Sequence, residues 1–113
     1  MAAIANLTID QGATFSSDVT VKDANNNAFD LTGYTASAKM AKGFSSTRTR
    51  TSMTCTISTP ATSGVVTLAL TADQTSNLDE GRYVYDLEIL QTSSSTITRV
   101  IEGIITVRPQ VTT

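Results

Sequence analysis

Asp79-Glu80-Gly81-Arg82-Tyr83-Val84-Tyr85-Asp86-Leu87-Glu88-Ile89 is the stretch on which the fold turns. Tyr83, Tyr85, Leu87 and Ile89 recur at every second position, the mark of a strand with one buried face. Just upstream, Thr71-Ala72-Asp73-Gln74 has the spacing of a capping box. There the Thr hydroxyl and the Gln side chain each satisfy a backbone N–H that a first helical turn leaves unpaired. One short helical turn is therefore expected near Thr71-Ser76, followed by a tight corner and a strand.

The corner carries a resemblance. Asp79, Gly81 and Tyr83 stand in the order D-x-G-x-Y, which is similar to the tyrosine corner of immunoglobulin-type sandwiches, where a Tyr opening a strand returns its hydroxyl to the backbone just upstream. In antibody domains a Cys follows two residues later. Here Tyr85 holds that place and the chain has no Trp, so the likeness is to the architecture and not to a disulfide-bonded antibody domain. Asp79, Gly81, Tyr83 and Tyr85 are the residues expected to have structural roles.

Outward from the corner, period two persists. Leu7 and Ile9 alternate with polar neighbours; Phe15, Val19 and Val21 share a face; Ala36, Ala38 and Met40 form a third; Met53, Cys55 and Ile57 a fourth; Val66, Leu68 and Leu70 a fifth. The last strand runs from Thr96 to Val107. Its parity places Ile97, Ile101, Ile105 and Val107 together but turns Arg99 inward, and burying an unpaired Arg is costly. Either a bulge near Arg99 or a covered second face is expected. Asp23-Ala24-Asn25-Asn26-Asn27 and Ser93-Ser94-Ser95 read as turn and hairpin tips. Seven short strands at about ten-residue spacing predict an all-β fold, an immunoglobulin-like antiparallel sandwich in one domain over residues 1–113.

Composition agrees. The 113 residues (11.9 kDa) suffice for one core. The 21 Thr and 12 Ser favour extended backbone over helix. No His is present, which removes the usual general base and the commonest metal ligand, so an enzyme is not expected. The lone Cys55 closes no internal disulfide and fits folding in a reducing cytosol. Met1 to Asn6 carry no basic, apolar leader, and no apolar run is long enough to span a membrane. A net charge of −2 speaks against general nucleic-acid binding.

That charge is unevenly placed. From Leu31 through Ala72 there is no acidic residue, while Lys39, Lys42, Arg48 and Arg50 fall there, giving +4 against −6 for the remainder. These four cations are the candidate protein interface. Other constellations carry less. Asp23 to Asn27 opens like a calcium loop, but Ala28 stands where the Gly belongs and Tyr34 where the bidentate Glu belongs, so no metal site is expected. Cys55 alternates with Met53 and Ile57 and reads as a small buried apolar residue without a His to activate it. Asp86 and Glu88 share a strand face and read as solvent-facing rather than as a catalytic pair. Neither catalytic residues nor a cofactor are expected.

Three segments, taken together, resemble a family. They are Asp30-Leu31-Thr32-Gly33-Tyr34, then Gly64-Val65-Val66-Thr67-Leu68-Ala69-Leu70, then Gly81-Arg82-Tyr83-Val84-Tyr85-Asp86-Leu87-Glu88 with Arg99-Val100-Ile101-Glu102-Gly103-Ile104-Ile105-Thr106-Val107. In that order they are similar to small immunoglobulin-like structural proteins of tailed bacteriophages, and to the N-terminal domain of phage baseplate upper proteins. The resemblance implies a non-enzymatic virion subunit, an adaptor or decoration protein of the tail, baseplate or head surface. Such a subunit is made in the host bacterial cytoplasm and present in many copies, touching other virion proteins and copies of itself, with no nucleic acid, membrane or cofactor. The chain ends soon after Val111, where a baseplate upper protein continues into a receptor-binding region, so an adaptor or a capsid decoration protein is expected rather than a fibre holder. A carbohydrate-binding sandwich is the other reading; it calls for exposed aromatics, whereas most of the three Tyr and three Phe fit core positions.

Overall fold

The computed structural model describes residues 3–42 and 50–110. Eight strands, one α-helical turn and one 3-10 turn follow in order: β1 (Ala3–Ile4), β2 (Leu7–Asp10), β3 (Phe15–Thr20), β4 (Tyr34–Ala41), β5 (Thr51–Ile57), the 3-10 turn Ala61–Ser63, β6 (Val65–Leu70), α1 (Ala72–Ser76), β7 (Gly81–Gln91) and β8 (Thr96–Arg108). One sheet places β1 and β2 parallel to β8, then β7 and β4 antiparallel in turn. The other pairs β3 with β6 and β6 with β5. Strand β5 serves both: Thr51 to Met53 pair with β4, while Thr54 to Ile57 pair with β6. A strand that changes sheets makes the corner of a sandwich. The two layers are therefore those of an immunoglobulin-like β-sandwich, with β4, β7 and β8 as its C, F and G strands and β3 and β6 as B and E.

The inward faces close on Ile9, Val19, Met40, Val66, Leu68, Leu87, Ile105 and their neighbours, all buried. Tyr83 opens β7 and its hydroxyl donates to the Asp79 carbonyl at 2.9 Å. Gly81 permits the bend with φ +123°, a region L side chains rarely adopt. The capping box is also present: the Thr71 hydroxyl accepts from the Gln74 N–H at 3.2 Å and the Gln74 side chain accepts from the Thr71 N–H at 2.8 Å. One buried hydroxyl extends that anchorage, since Thr75 Oγ1 donates to the Ala13 carbonyl at 2.8 Å and ties α1 to the start of β3.

The quoted segments now have physical reasons. In Asp30-Leu31-Thr32-Gly33-Tyr34 the Asp30 carboxylate accepts from the Thr32 N–H, Leu31 plugs the core, and Gly33 turns at φ +81° into β4. Gly64 caps the 3-10 turn at φ +71° and lies so close to Val21 and Phe29 that a Cβ would stand 2.7 Å from the Val21 carbonyl oxygen. Gly103 sits opposite Tyr85, where a Cβ would run into the Ala5 carbonyl.

Among the described residues the strands number eight, in line with the about seven expected, the addition being β1, which is two residues long and displays no alternation. Two expectations need correction, those for Ile97 and Cys55. The bulge near Arg99 exists, with register passing from Leu87↔Ile101 to Glu88↔Arg99, so Val100 is the extra residue. It turns Arg99 outward and carries Ile97 with it: Ile97 does not join the core but is 63% exposed, paired with Leu90 on the outer face. Cys55 is half-buried rather than fully enclosed.

Candidate functional site

The outward face of β8, β7 and β4 gathers the chain's charges in rows set by strand register. Glu102, Asp86 and Lys39 lie side by side, and the next row holds Arg99, Glu88 and Ser37. Arg99 reaches diagonally to Asp86, Nε to Oδ2 3.2 Å, an arrangement that the outward turn at Val100 makes possible. That contact relieves the like-charge neighbours Asp86 and Glu102. Largely apolar rows flank the charged band, with Ile104, Val84 and the buried Ala41 on one side and Ile97, Leu90 and the polar Thr35 on the other. A shallow recess of about 380 Å³ opens among Lys39, Arg50, Asp86, Glu88 and Arg99.

This face takes up two of the four expected interface cations, Lys39 and Arg50. Lys42 goes elsewhere: its ammonium donates to the Glu80 carbonyl at 3.1 Å and lies 5.3 Å from the centroid of the Tyr83 ring, so it braces the corner. Arg48 lies outside the described residues. Asp86 and Glu88, expected merely to face solvent, are half-buried and line the recess. Sequence reasoning missed Arg99 and Glu102 as partners in this face, although the parity conflict at Arg99 was the signal for the bulge that puts it there.

The remaining candidates are structural. Asp23 Oδ1 accepts from the Asn25 and Asn27 N–H groups at 2.9 and 3.0 Å, closing a polar hairpin tip in which Asn26 takes φ +65°. Burial pushes the Cys55 thiol up, against a smaller opposing effect of a backbone hydrogen bond at Ala38, which disfavours the nucleophilic thiolate. Among the described residues, no three His, Cys, Asp or Glu side chains gather closely enough to hold a metal ion, and no helix is long and apolar enough to cross a membrane.

No family model matches this chain, and no curated protein matches it. Among solved structures it is similar to the Lin-41 filamin domain, at 19% identity over 89% of this chain and 82% of that one, with a TM-score of 0.48. It is also similar to InlP of Listeria monocytogenes, at 15% identity over 92% of this chain, with a TM-score of 0.48. In that second case the match spans 26% of the longer protein.

Proposed function

We propose that this chain is a non-enzymatic structural subunit of a tailed-phage virion, an adaptor or decoration protein that works by protein contacts on the outer face of β4, β7 and β8. The observation that carries the contact reading is the alternation of charge on that face. Five charged side chains lie within two adjacent rows, bordered by apolar residues, the mixture of polar specificity and apolar area that protein contacts use. The His-free composition supports a role without acid-base chemistry. The phage assignment is supported by the three sequence segments quoted above.

The test is incorporation. Lys39→Glu with Arg50→Glu should leave the isolated domain folded, since Lys39 is exposed and Arg50 lies outside the strands. The amount of this chain in purified particles, read by quantitative mass spectrometry, should fall sharply. Wild-type incorporation by the double variant would contradict the reading.

A further inference from the structure

We infer that the outer face of β4, β7 and β8 docks on the same face of a second copy, about a twofold axis lying in the face and running across the strands. The inference rests on reading this face as a protein-contact surface, and it names the partner. A twofold of this kind, centred between the Asp86 and Glu88 rows, lays each row of one copy over the row equally far from the centre on the other. The strand register then fixes what meets what. Glu102 of one copy faces Arg99 of the other, and by symmetry Arg99 faces Glu102, giving two opposite-charge pairs. Ile104 faces Ile97, and Val84 faces Leu90, so the two apolar rows cover one another. Lys39 faces Ser37.

The exposed apolar side chains argue for this arrangement. Ile97 is 63% and Ile104 40% exposed, and they stand at opposite ends of one face with the charged band between them. A partner must therefore supply apolar surface at both ends and mixed charge in the middle, in the same spacing. The face itself has that pattern. The unfavourable meeting, Asp86 over Glu88, also occurs twice by symmetry, and it is softened because Lys39 and Arg99 neighbour those carboxylates within the same copy. A twofold running along β7 does worse: it would still stack carboxylates, Asp86 on Asp86 and Glu88 on Glu88, and it would set Ile104 over Ala41 and Ile97 over Thr35, so the two exposed isoleucines would not cover one another.

Size sets the strength. Three strands about 4.8 Å apart and four outward rows about 7 Å apart give on the order of 400 Å² per copy, about 800 Å² in all. That lies at the low end of specific interfaces, so the free domain should dimerise weakly and the contact should persist mainly where copies are held close together.

Sedimentation equilibrium of the whole chain from about 10 µM to about 1 mM tests this, with circular dichroism to confirm folding. The wild type should pass from monomer to dimer across that range. Arg99→Glu and Glu102→Arg should each weaken dimerisation by about tenfold or more, and the combined variant should regain the wild-type constant within about threefold, because the facing pair is restored with its signs exchanged. Ile97→Ser, which alters an exposed side chain, should weaken it as well. A wild type that stays monomeric at the highest concentration, or a combined variant no tighter than its parents, would overturn the assignment of a second copy. Particle incorporation of the Lys39→Glu, Arg50→Glu variant reads the contact function separately, so the two claims fail independently.

Discussion

The hydroxyl of Tyr85 donates to the carbonyl oxygen of Ala5 at 2.5 Å, joining residues 80 positions apart. Between them lies Gly103, whose missing side chain leaves room for the Ala5 carbonyl to enter the sandwich. The short N-terminal strands are thus held on β8 by more than their ladder: the Ala5 N–H donates to Glu102, and the Asn6 side chain accepts from the Ile104 N–H. In antibody domains the position of Tyr85 carries a disulfide Cys. Here a buried tyrosine reaches instead to the edge strand.

Tyr85→Phe keeps the ring and strands the Ala5 carbonyl. It should cost about 1 to 2 kcal/mol, read as a lower melting temperature and as faster amide exchange in β1 and β2 than elsewhere. Uniform loss of protection would show that the bond does not anchor those strands. Gly103→Ala places a methyl against Ala5 and should cost about 1 to 3 kcal/mol by overpacking.

Tyr83→Phe removes the donor to the Asp79 carbonyl and should cost about 1 kcal/mol. For a domain of this size that corresponds to a fall in Tm of roughly 4 °C, measurable by calorimetry. Unchanged melting would mean that the corner is held by the ring and Gly81 alone.

The same two tyrosines set an alkaline limit. Burial pushes the Tyr85 hydroxyl up to about 12 from its ordinary value of 10.0, and the Tyr83 hydroxyl is raised by burial and by the nearby Asp79 carboxylate, against a smaller effect of its own bond to the Asp79 carbonyl. Below pH 10 both states carry neutral tyrosine and stability is unaffected. Between about pH 10 and 12 the unfolded chain loses these protons first, so stability falls as pH rises. Urea titrations should show that decline, and Tyr85→Phe should make it shallower. A variant with the wild-type slope would contradict the assignment.

Two glycines separate strain from space. Gly33, at φ +81°, has nothing within 4 Å of the place a Cβ would occupy, so Gly33→Ala should cost only the left-handed backbone, about 1 kcal/mol. Gly64→Ala adds a clash with Val21 and Phe29 and should cost at least about 2 kcal/mol more in denaturant melts. Equal losses at both sites would mean that the turn relaxes freely.

Much of this was legible in the sequence because strand alternation and turn chemistry are local. The parity of Tyr83 to Ile89, the capping box at Thr71 and the corner at Asp79 each follow from residues a few positions apart. What was hidden depends on distant partners. Nothing near Ala3 announces its pairing with Ile101, and Lys42 reads as one more basic residue until the fold brings it over Tyr83. The outer face was legible only in part: Lys39 was singled out by charge, but its neighbours Glu102 and Arg99 come from a strand whose register depends on one extra residue, Val100.

The most direct measurement is the density of this chain in purified phage particles at a resolution that traces strands. The outer face of β4, β7 and β8 should be found buried against protein, with Lys39, Asp86, Arg99 and Glu102 inside the contact. Particles that lack the chain, or that carry it with this face open to solvent, would contradict a structural subunit working through that face.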